Sequence, residues 1–178
     1  MRSFKSSVKQ RLLYISVLLT ILLLSGVGGC YTFRDASVPA SVKTFRLSLI
    51  ENRARYINPT FAPQLTDKLR QKINGQFSRL RQVDGEDANY DIRAEIRGYD
   101  PITSGISGQQ ASLNRLSVSV HIIFKNNTAE GTKSFEADVA RNFDYTATTS
   151  FESAQQSLLP NIIQNMSDEI FNRIFSNW

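Results

Sequence analysis

The only cysteine of the chain, Cys30, follows a segment with the three parts of a secretory signal. Residues 1–11 carry four basic residues and no acidic one, Leu12 to Leu24 is almost wholly apolar, and small residues then lead to the cysteine. The apolar run is shorter than the roughly 20 residues of a membrane-spanning helix. We therefore expect cleavage next to Cys30, with an uncleaved membrane anchor as the alternative. A chain with one cysteine cannot form an intramolecular disulfide.

The chemistry expected of Cys30 is acylation. Val27-Gly28-Gly29-Cys30 resembles the lipobox of bacterial lipoproteins, whose cysteine sulfur receives a diacylglyceryl group before signal peptidase cuts and the new amine is acylated. The resemblance makes Cys30 a lipid anchor rather than a redox thiol or a metal ligand. Several acyl chains hold a protein on a bilayer far more firmly than one. Tyr31 stands where an inner-membrane retention signal would place aspartate, which favours the outer membrane. No acidic run of the kind found in some surface-exported lipoproteins follows Cys30, so we expect the periplasmic side.

The net charge of +5 is largely a property of the signal segment. The chain has 21 basic and 16 acidic residues, and four of the basic ones precede Cys30, so the mature chain carries 17 against 16. This balance does not indicate a nucleic-acid partner. Cleavage would leave 149 of the 178 residues, enough for one core. We expect a signal peptide at 1–29, a lipidated tether at 30–41 and one domain at 42–178.

Side chains suited to catalysis are sparse. The single histidine, His121, falls on the outward side of a predicted strand, and we expect it to be an ordinary surface residue. One histidine without a cysteine partner provides neither a usual zinc site nor a nucleophile with its base. The glycine-rich run at 103–108 lacks the lysine of a phosphate-binding loop. The sequence therefore predicts no enzyme, no metal and no cofactor.

The elements follow from apolar periodicity. Alternating apolar and polar residues predict four strands, around 43–49, 90–97, 115–124 and 135–145. Arg141 breaks the alternation of the last strand and suggests a bulge or a strand that runs past the core. Apolar residues at helical spacing predict one helix from about Phe61 to near Leu80 and a second from about Leu159 to Ile174. Pro160 marks either the first turn of the second helix or a kink in it.

The element order β-α-β-β-β-α predicts an α+β two-layer sandwich, a four-stranded mixed sheet with both helices packed on one face. The first strand, the helix and the second strand should form a parallel crossover, followed by an antiparallel meander. The connection from about Pro101 to Ser112 is longer than a hairpin needs. It is either a flexible loop or an insertion into a partner, and the candidate contact residues are Ser104, Gly105, Ile106, Ser107, Gly108 and Gln109.

Six short motifs lie in order along the mature chain: Cys30-Tyr31-Thr32-Phe33, Lys43-Thr44-Phe45, Glu51-Asn52-Arg53-Ala54, Asn58-Pro59-Thr60, Asn114-Arg115-Leu116 and Phe175-Ser176-Asn177-Trp178. Together they resemble LptE, the family of lipopolysaccharide-assembly lipoproteins of gram-negative outer membranes. In that family the lipoprotein plugs the LptD β-barrel, assists its assembly and binds lipopolysaccharide. The resemblance implies these partners, with the membrane bound through the N-terminal lipid and no nucleic acid. The alternative is a generic periplasmic lipoprotein that is a scaffold of another envelope complex.

Arg93, Arg97 and Arg115 are the candidates for binding the phosphates of lipopolysaccharide, because a planar guanidinium binds phosphate bidentately. Arg93 and Arg97 share the polar side of the second predicted strand, roughly 13 Å apart. We expect Arg115, at the start of the next strand, to adjoin one of them. The alternative is that Asp91 and Glu95 pair with these arginines, an interaction that contributes little at a surface.

Overall fold

The computed structural model describes residues 38–103 and 113–176, which form six strands and two helices. The elements in chain order are β1 (Thr44–Leu47), β2 (Glu51–Asn52), α1 (Phe61–Gln76), β3 (Arg81–Gln82), β4 (Tyr90–Thr103), β5 (Leu113–Asn126), β6 (Phe135–Thr146) and α2 (Phe151–Phe175). All strands belong to one sheet with the order β3-β1-β4-β5-β6, and β2 pairs with β4.

The pairing of the strands confirms the predicted α+β class. Strand β1 runs parallel to β3 and β4, and β2 also runs parallel to β4. The long strands β4, β5 and β6 then form an antiparallel meander. The sheet has two more strands than predicted, β2 and β3, and each of them is only two residues long. A two-residue strand is too short for alternation to reveal it.

Both helices cover one side of the sheet. Alternate residues of β4 and β5, such as Ile92 and Phe124, are buried there, as the alternation predicts. Helix α1 reaches the sheet through Phe61, whose ring lies 5.5 Å from that of Tyr99. Helix α2 reaches it through Phe175, 6.5 Å from the ring of Tyr90. Among the described helices, none is long and apolar enough to cross a membrane.

Helix α1 ends earlier than the apolar periodicity predicts. It stops at Gln76 rather than near Leu80, although Phe77 and Leu80 are both buried. The Phe77 N–H still donates to the Ile73 carbonyl, and the Leu80 N–H donates to the Phe77 carbonyl. A turn after the poor helix former Gly75 therefore keeps the apolar side chains in the core while the helix itself stops.

Helix α2 begins well before Pro160, at Phe151. Ser150 caps it, because its hydroxyl accepts a hydrogen bond from the Ser153 N–H at 3.3 Å. Pro160 therefore lies in the interior of the helix, and the alternative that places it in the first turn is wrong. The ring removes one amide donor, so the carbonyl of Gln156 lacks its usual partner one turn later.

The bulge lies in β4 and not in β6. The pairing of β4 with β5 shifts between Ile96 and Gly98, which brings Tyr99 to the buried side. Within the described pairing of β5 with β6, the register continues unbroken through Arg141. Arg141 keeps its place on the helix side of the sheet and donates from Nε to Glu169 of α2 at 2.8 Å. Arg141 thus forms a salt bridge to α2, and the bulge that the sequence suggests at this position is not observed.

The core extends to the first described residue. Val38 and Val42 are both buried, and the guanidinium of Arg79 donates to the Val38 carbonyl. The last residues assigned to the tether therefore pack against the domain.

Candidate functional site

The side of the sheet that the helices leave uncovered carries most of the charged strand residues, and we call it the polar face. Residues that alternate with the buried ones must point there. On β4 they are Asp91, Arg93, Glu95 and Arg97; on β5, Arg115, Ser117, Ser119 and His121; on β6, Glu136, Asp138 and Asp144. The polar face is therefore a mixed-charge surface about three strands wide.

Arg93 and Arg97 lie on the polar face with about half of each side chain exposed, 51% and 50%. Arg93 Nε lies 3.5 Å from a carboxylate oxygen of Asp91. Arg97 lies 3.4 Å from Glu95 and 3.9 Å from Asp138. The pairing with Asp91 and Glu95 that the sequence offered as the alternative is present, but the contacts are long. Much of each guanidinium thus remains accessible to a ligand.

Arg115 is bound more tightly and lies elsewhere on the face. Its Nε and Nη2 donate to the two carboxylate oxygens of Asp144 at 2.6 and 3.1 Å. Hydrogen bonding to Arg115 lowers the pKa of Asp144, and the same bond raises the pKa of Arg115. In the register of β4 with β5, Arg115 lies opposite Ile102. The expectation that Arg115 adjoins Arg93 or Arg97 is therefore wrong.

His121 is not the ordinary surface residue that the sequence predicts. It is only 8% exposed, because the carboxylates of two β6 residues enclose its ring. Nδ1 lies 2.8 Å from Asp138 and Nε2 lies 3.3 Å from Glu136. Both partners follow His121 by at least 15 residues. Alternation indicates which side of the sheet a residue faces but not which residue lies beside it, so the sequence could not reveal this cluster.

A shallow groove of about 330 Å³ opens beside Arg93. Its lining combines two cations with apolar and polar atoms: Arg93, Lys125, Ile123, Phe135, Ser134 and Glu136. Lys125 is missing from the sequence-based candidates, although it continues the alternation of β5 past Ile123. The remaining candidates, Cys30 and the loop residues Ser104 to Gln109, lie outside the described residues.

Residues 42–174 match the family model LptE, described as lipopolysaccharide-assembly. The match includes every strand and all but the last residue of α2. The chain belongs to the LptE family. No curated protein sequence matches this LptE-family chain.

Solved structures resemble the LptE-family chain in fold. A minor lipoprotein from Acinetobacter baumannii is 22% identical with a TM-score of 0.47, and the match covers 78% of this chain and 95% of that one. Rare lipoprotein B from Shewanella oneidensis is 14% identical with a TM-score of 0.47, covering 73% and 92%. The hypothetical protein CT253 from Chlamydia trachomatis is 10% identical with a TM-score of 0.50, covering 74% and 94%. Membership of the LptE family therefore rests on the family model and not on these structures.

Proposed function

We propose that the chain is a non-enzymatic outer-membrane lipoprotein that plugs an LptD-like β-barrel, helps that barrel to assemble and takes part in lipopolysaccharide transport to the outer leaflet. The match of residues 42–174 to the LptE family carries this proposal. The sequence motifs that resemble the same family support it. A domain with one polar face and one face sealed by helices also suits the polar interior of a large barrel.

Lipidation of Cys30 is the part of the proposal that gives the protein its place in the cell. The lipobox resemblance of Val27-Gly28-Gly29-Cys30 supports it. Mass spectrometry of the native protein should find Cys30 as the first residue with added acyl mass. Cys30→Ala should leave an uncleaved precursor or a protein lost from outer-membrane fractions. A mature N-terminus at any other residue would contradict this assignment.

Binding of lipopolysaccharide is assigned to the polar face. The half-exposed Arg93 and Arg97 and the groove beside Lys125 support this assignment. Arg115 belongs to the proposed site as a weaker member, since Asp144 already occupies both of its donors. Guanidinium and ammonium groups next to apolar side chains suit a ligand that carries both phosphate and acyl chains.

Co-purification tests the proposal as a whole. The tagged full chain is extracted with detergent from outer membranes, and mass spectrometry identifies the partners. We expect an LptD-like barrel together with lipopolysaccharide, and we expect depletion of the chain to leave the barrel misfolded and protease-sensitive. Recovery of a different envelope complex, with barrel level and folding unchanged by depletion, would instead favour the scaffold alternative.

A further inference from the structure

A cleft of about 340 Å³ lies at the end of the sheet where β4 approaches its connection with β5. Its lining combines Asp100 and Pro101 of β4 with Arg55 and Tyr56 from the segment between β2 and α1. Strand β2 pairs with β4 only as far as Ile96, so no described strand covers this edge of β4 beside the cleft. The volume of the cleft is that of a site for one small ligand.

Tyr56 gives the cleft a rigid aromatic surface. Its ring stacks on the buried Tyr99, with the ring centroids 6.0 Å apart and the planes at 14°. Phe151, the first residue of α2, packs against the Tyr56 ring edge-on at 4.9 Å. Tyr56 is nevertheless 40% exposed. A ring that is fixed by two others and still open to solvent presents an apolar surface whose orientation is set before a ligand arrives.

Arg55 and Asp100 are charged, exposed and unpaired. Neither side chain has a hydrogen bond or an ion pair with another described residue. By contrast, the neighbouring Arg53 pairs with Glu51 at 2.9 Å. The cleft therefore holds a free hydrogen-bond donor group and a free acceptor group beside an aromatic ring.

This combination of side chains selects a class of ligand. A phosphate or carboxylate ion would be repelled by Asp100, and a simple cation would be repelled by Arg55. A wholly apolar ligand would remove water from both charged groups without replacing their hydrogen bonds. A neutral ring compound with hydroxyl groups avoids these penalties, because hydroxyls donate to a carboxylate, accept from a guanidinium and leave the C–H surface of the ring to pack on Tyr56. A pyranose sugar has this structure.

We propose that the cleft lined by Arg55, Tyr56, Asp100 and Pro101 binds an uncharged pyranose saccharide. The sugar ring packs on Tyr56, Asp100 accepts hydrogen bonds from its hydroxyls, and Arg55 donates to its oxygens. Two sources share this chemistry, the saccharide part of a glycolipid and a glycan without lipid, and the experiment distinguishes them. The inference requires neither the partner barrel nor the arginines of the polar face, so it goes beyond the proposed function.

Saturation-transfer NMR tests the cleft on the purified full chain, in a detergent that contains no sugar. The probes are the methyl α-pyranosides of glucose, galactose, mannose and N-acetylglucosamine, together with the zwitterionic dipeptide alanylalanine. Inorganic phosphate is added as a competitor. We expect at least one glycoside to bind weakly, since the cleft is open, with the strongest saturation at the ring C–H protons that pack on Tyr56. Phosphate should not displace it, because Asp100 repels an anion.

Variants of the cleft identify the binding residues. Arg55→Ala and Asp100→Ala should each weaken glycoside binding at least about tenfold, because each removes a hydrogen bond to a charged group. Both side chains are exposed and unpaired, so the melting temperature should stay at the wild-type value. Tyr56→Phe keeps the aromatic surface and should bind like wild type. The matched controls, Asp87→Ala and Lys133→Ala, remove exposed charges near the opposite end of β4 and should also bind like wild type.

Failure of all four glycosides to bind would overturn the inference, as would binding of the dipeptide alone, displacement by phosphate, or equal losses in the cleft and control variants. Once a glycoside is shown to bind, titration with lipopolysaccharide and with its lipid A part identifies the source. If Arg55→Ala weakens binding of lipopolysaccharide but not of lipid A, the saccharide belongs to a glycolipid. If it weakens neither, the ligand is a glycan without lipid. Recovery of the barrel tests the proposed function separately.

Discussion

Two glycines show how strongly the effect of one methyl group depends on its position. Gly131, in the connection between β5 and β6, has a φ of +87°, and a Cβ there would lie 2.5 Å from the Tyr90 hydroxyl and 3.0 Å from Pro39 Cδ. Gly75, near the end of α1, has no heavy atom within 4 Å of its Cβ position. Position 131 requires glycine, whereas glycine at position 75 only weakens helix α1.

The same substitution should therefore act with opposite sign at the two positions. Gly131→Ala should lower the free energy of unfolding by about 1–3 kcal/mol through the backbone conformation and the crowding at Tyr90. Gly75→Ala should raise it by about 0.5–1 kcal/mol. Urea denaturation of the two variants measures both effects. Destabilisation of similar size in both would contradict the different surroundings of the two glycines.

Replacement of Arg93, Arg97 and Arg115 with serine tests the proposed lipopolysaccharide site. We expect the triple variant to keep its fold and its association with the partner barrel, because none of the three side chains lies in the core. Glycolipid binding should weaken, and the remaining binding should depend less on salt, since screened charge contacts are lost. Binding to the purified full chain is measured across a range of salt concentrations.

Matched control variants distinguish loss of the proposed site from a general loss of positive charge. Lys68→Ser combined with Arg70→Ser removes two cations from α1 and should leave binding unchanged. Arg115→Ser alone should have less effect than Arg93→Ser with Arg97→Ser, because Asp144 holds both donors of Arg115. Wild-type affinity and salt dependence in the triple variant would exclude the polar face as the site.

Among the elements, β6 has the most exposed position, since it is twelve residues long and lies at an edge of the sheet. A long open edge can pair with a strand of another molecule. Arg141 lies on the helix side of this strand, half exposed, and pairs with Glu169. A charged residue that points inward from an edge strand is one of the features that prevent such pairing.

Arg141→Val should therefore promote self-association of the purified protein more than it changes stability. Loss of the exposed salt bridge should cost no more than about 1 kcal/mol. Light scattering over a wide range of concentration measures the effect. Asn142→Val is the control, because it adds the same side chain to the opposite side of the same strand. If the two variants associate equally, hydrophobicity rather than the inward charge governs the edge.

The two helices are joined by an ion pair that should respond to acid. Lys72 of α1 lies 2.6 Å from Asp168 of α2. Burial raises the pKa of Asp168, but the hydrogen bonds from Lys72 and Gln164 lower it by more than burial raises it. The pKa of Asp168 therefore lies below the ordinary value of 3.8. Because the pKa is lower in the folded state, the stabilisation is present above pH 3.8 and is lost as the pH falls through the folded value.

Asp168→Asn should thus be less stable than wild type near neutral pH, by about 0.5 kcal/mol after solvent screening of this partly exposed pair. The difference should shrink as the pH falls below 3.8. Denaturation of both proteins between neutral and acidic pH, with Lys72→Gln completing a double-mutant cycle, measures the coupling. A difference that does not change with pH would mean that the Asp168 charge is not responsible.

Periodicity was sufficient for the long elements and failed where the backbone departs from regularity. The strands around Ile92 and Phe124 bury the predicted side chains, because alternation over many residues fixes one face. The bulge at Gly98 and the early start of α2 at Phe151 depend on local hydrogen bonds that periodicity does not encode. For the candidate site, the side of the sheet was predictable but the partners were not: Arg115 and Asp144 are 29 residues apart and meet only through the β5–β6 register.

At the scale of the whole molecule, the connection between β4 and β5 is the segment we expect to contribute to the complex rather than to the fold. Deletion of Ser104 to Gln109 should weaken recovery of the barrel more than it lowers the melting temperature of the isolated protein, since a glycine-rich loop contributes little core. Pull-down and thermal denaturation of the same variant compare the two effects. Proportionate losses in both would make the loop a structural element.

Strand β4 is about as long as a bilayer is thick. Its 14 residues span about 43 Å at roughly 3.3 Å per residue. The bilayer measures about 40–45 Å with its headgroup regions. Strand β1, the first described strand, pairs with the first residues of β4, and the connection to β5 begins at the other end. With the lipid anchor proposed above on the segment before β1, and with β4 along the membrane normal, the two ends of this strand would lie about one full bilayer thickness apart.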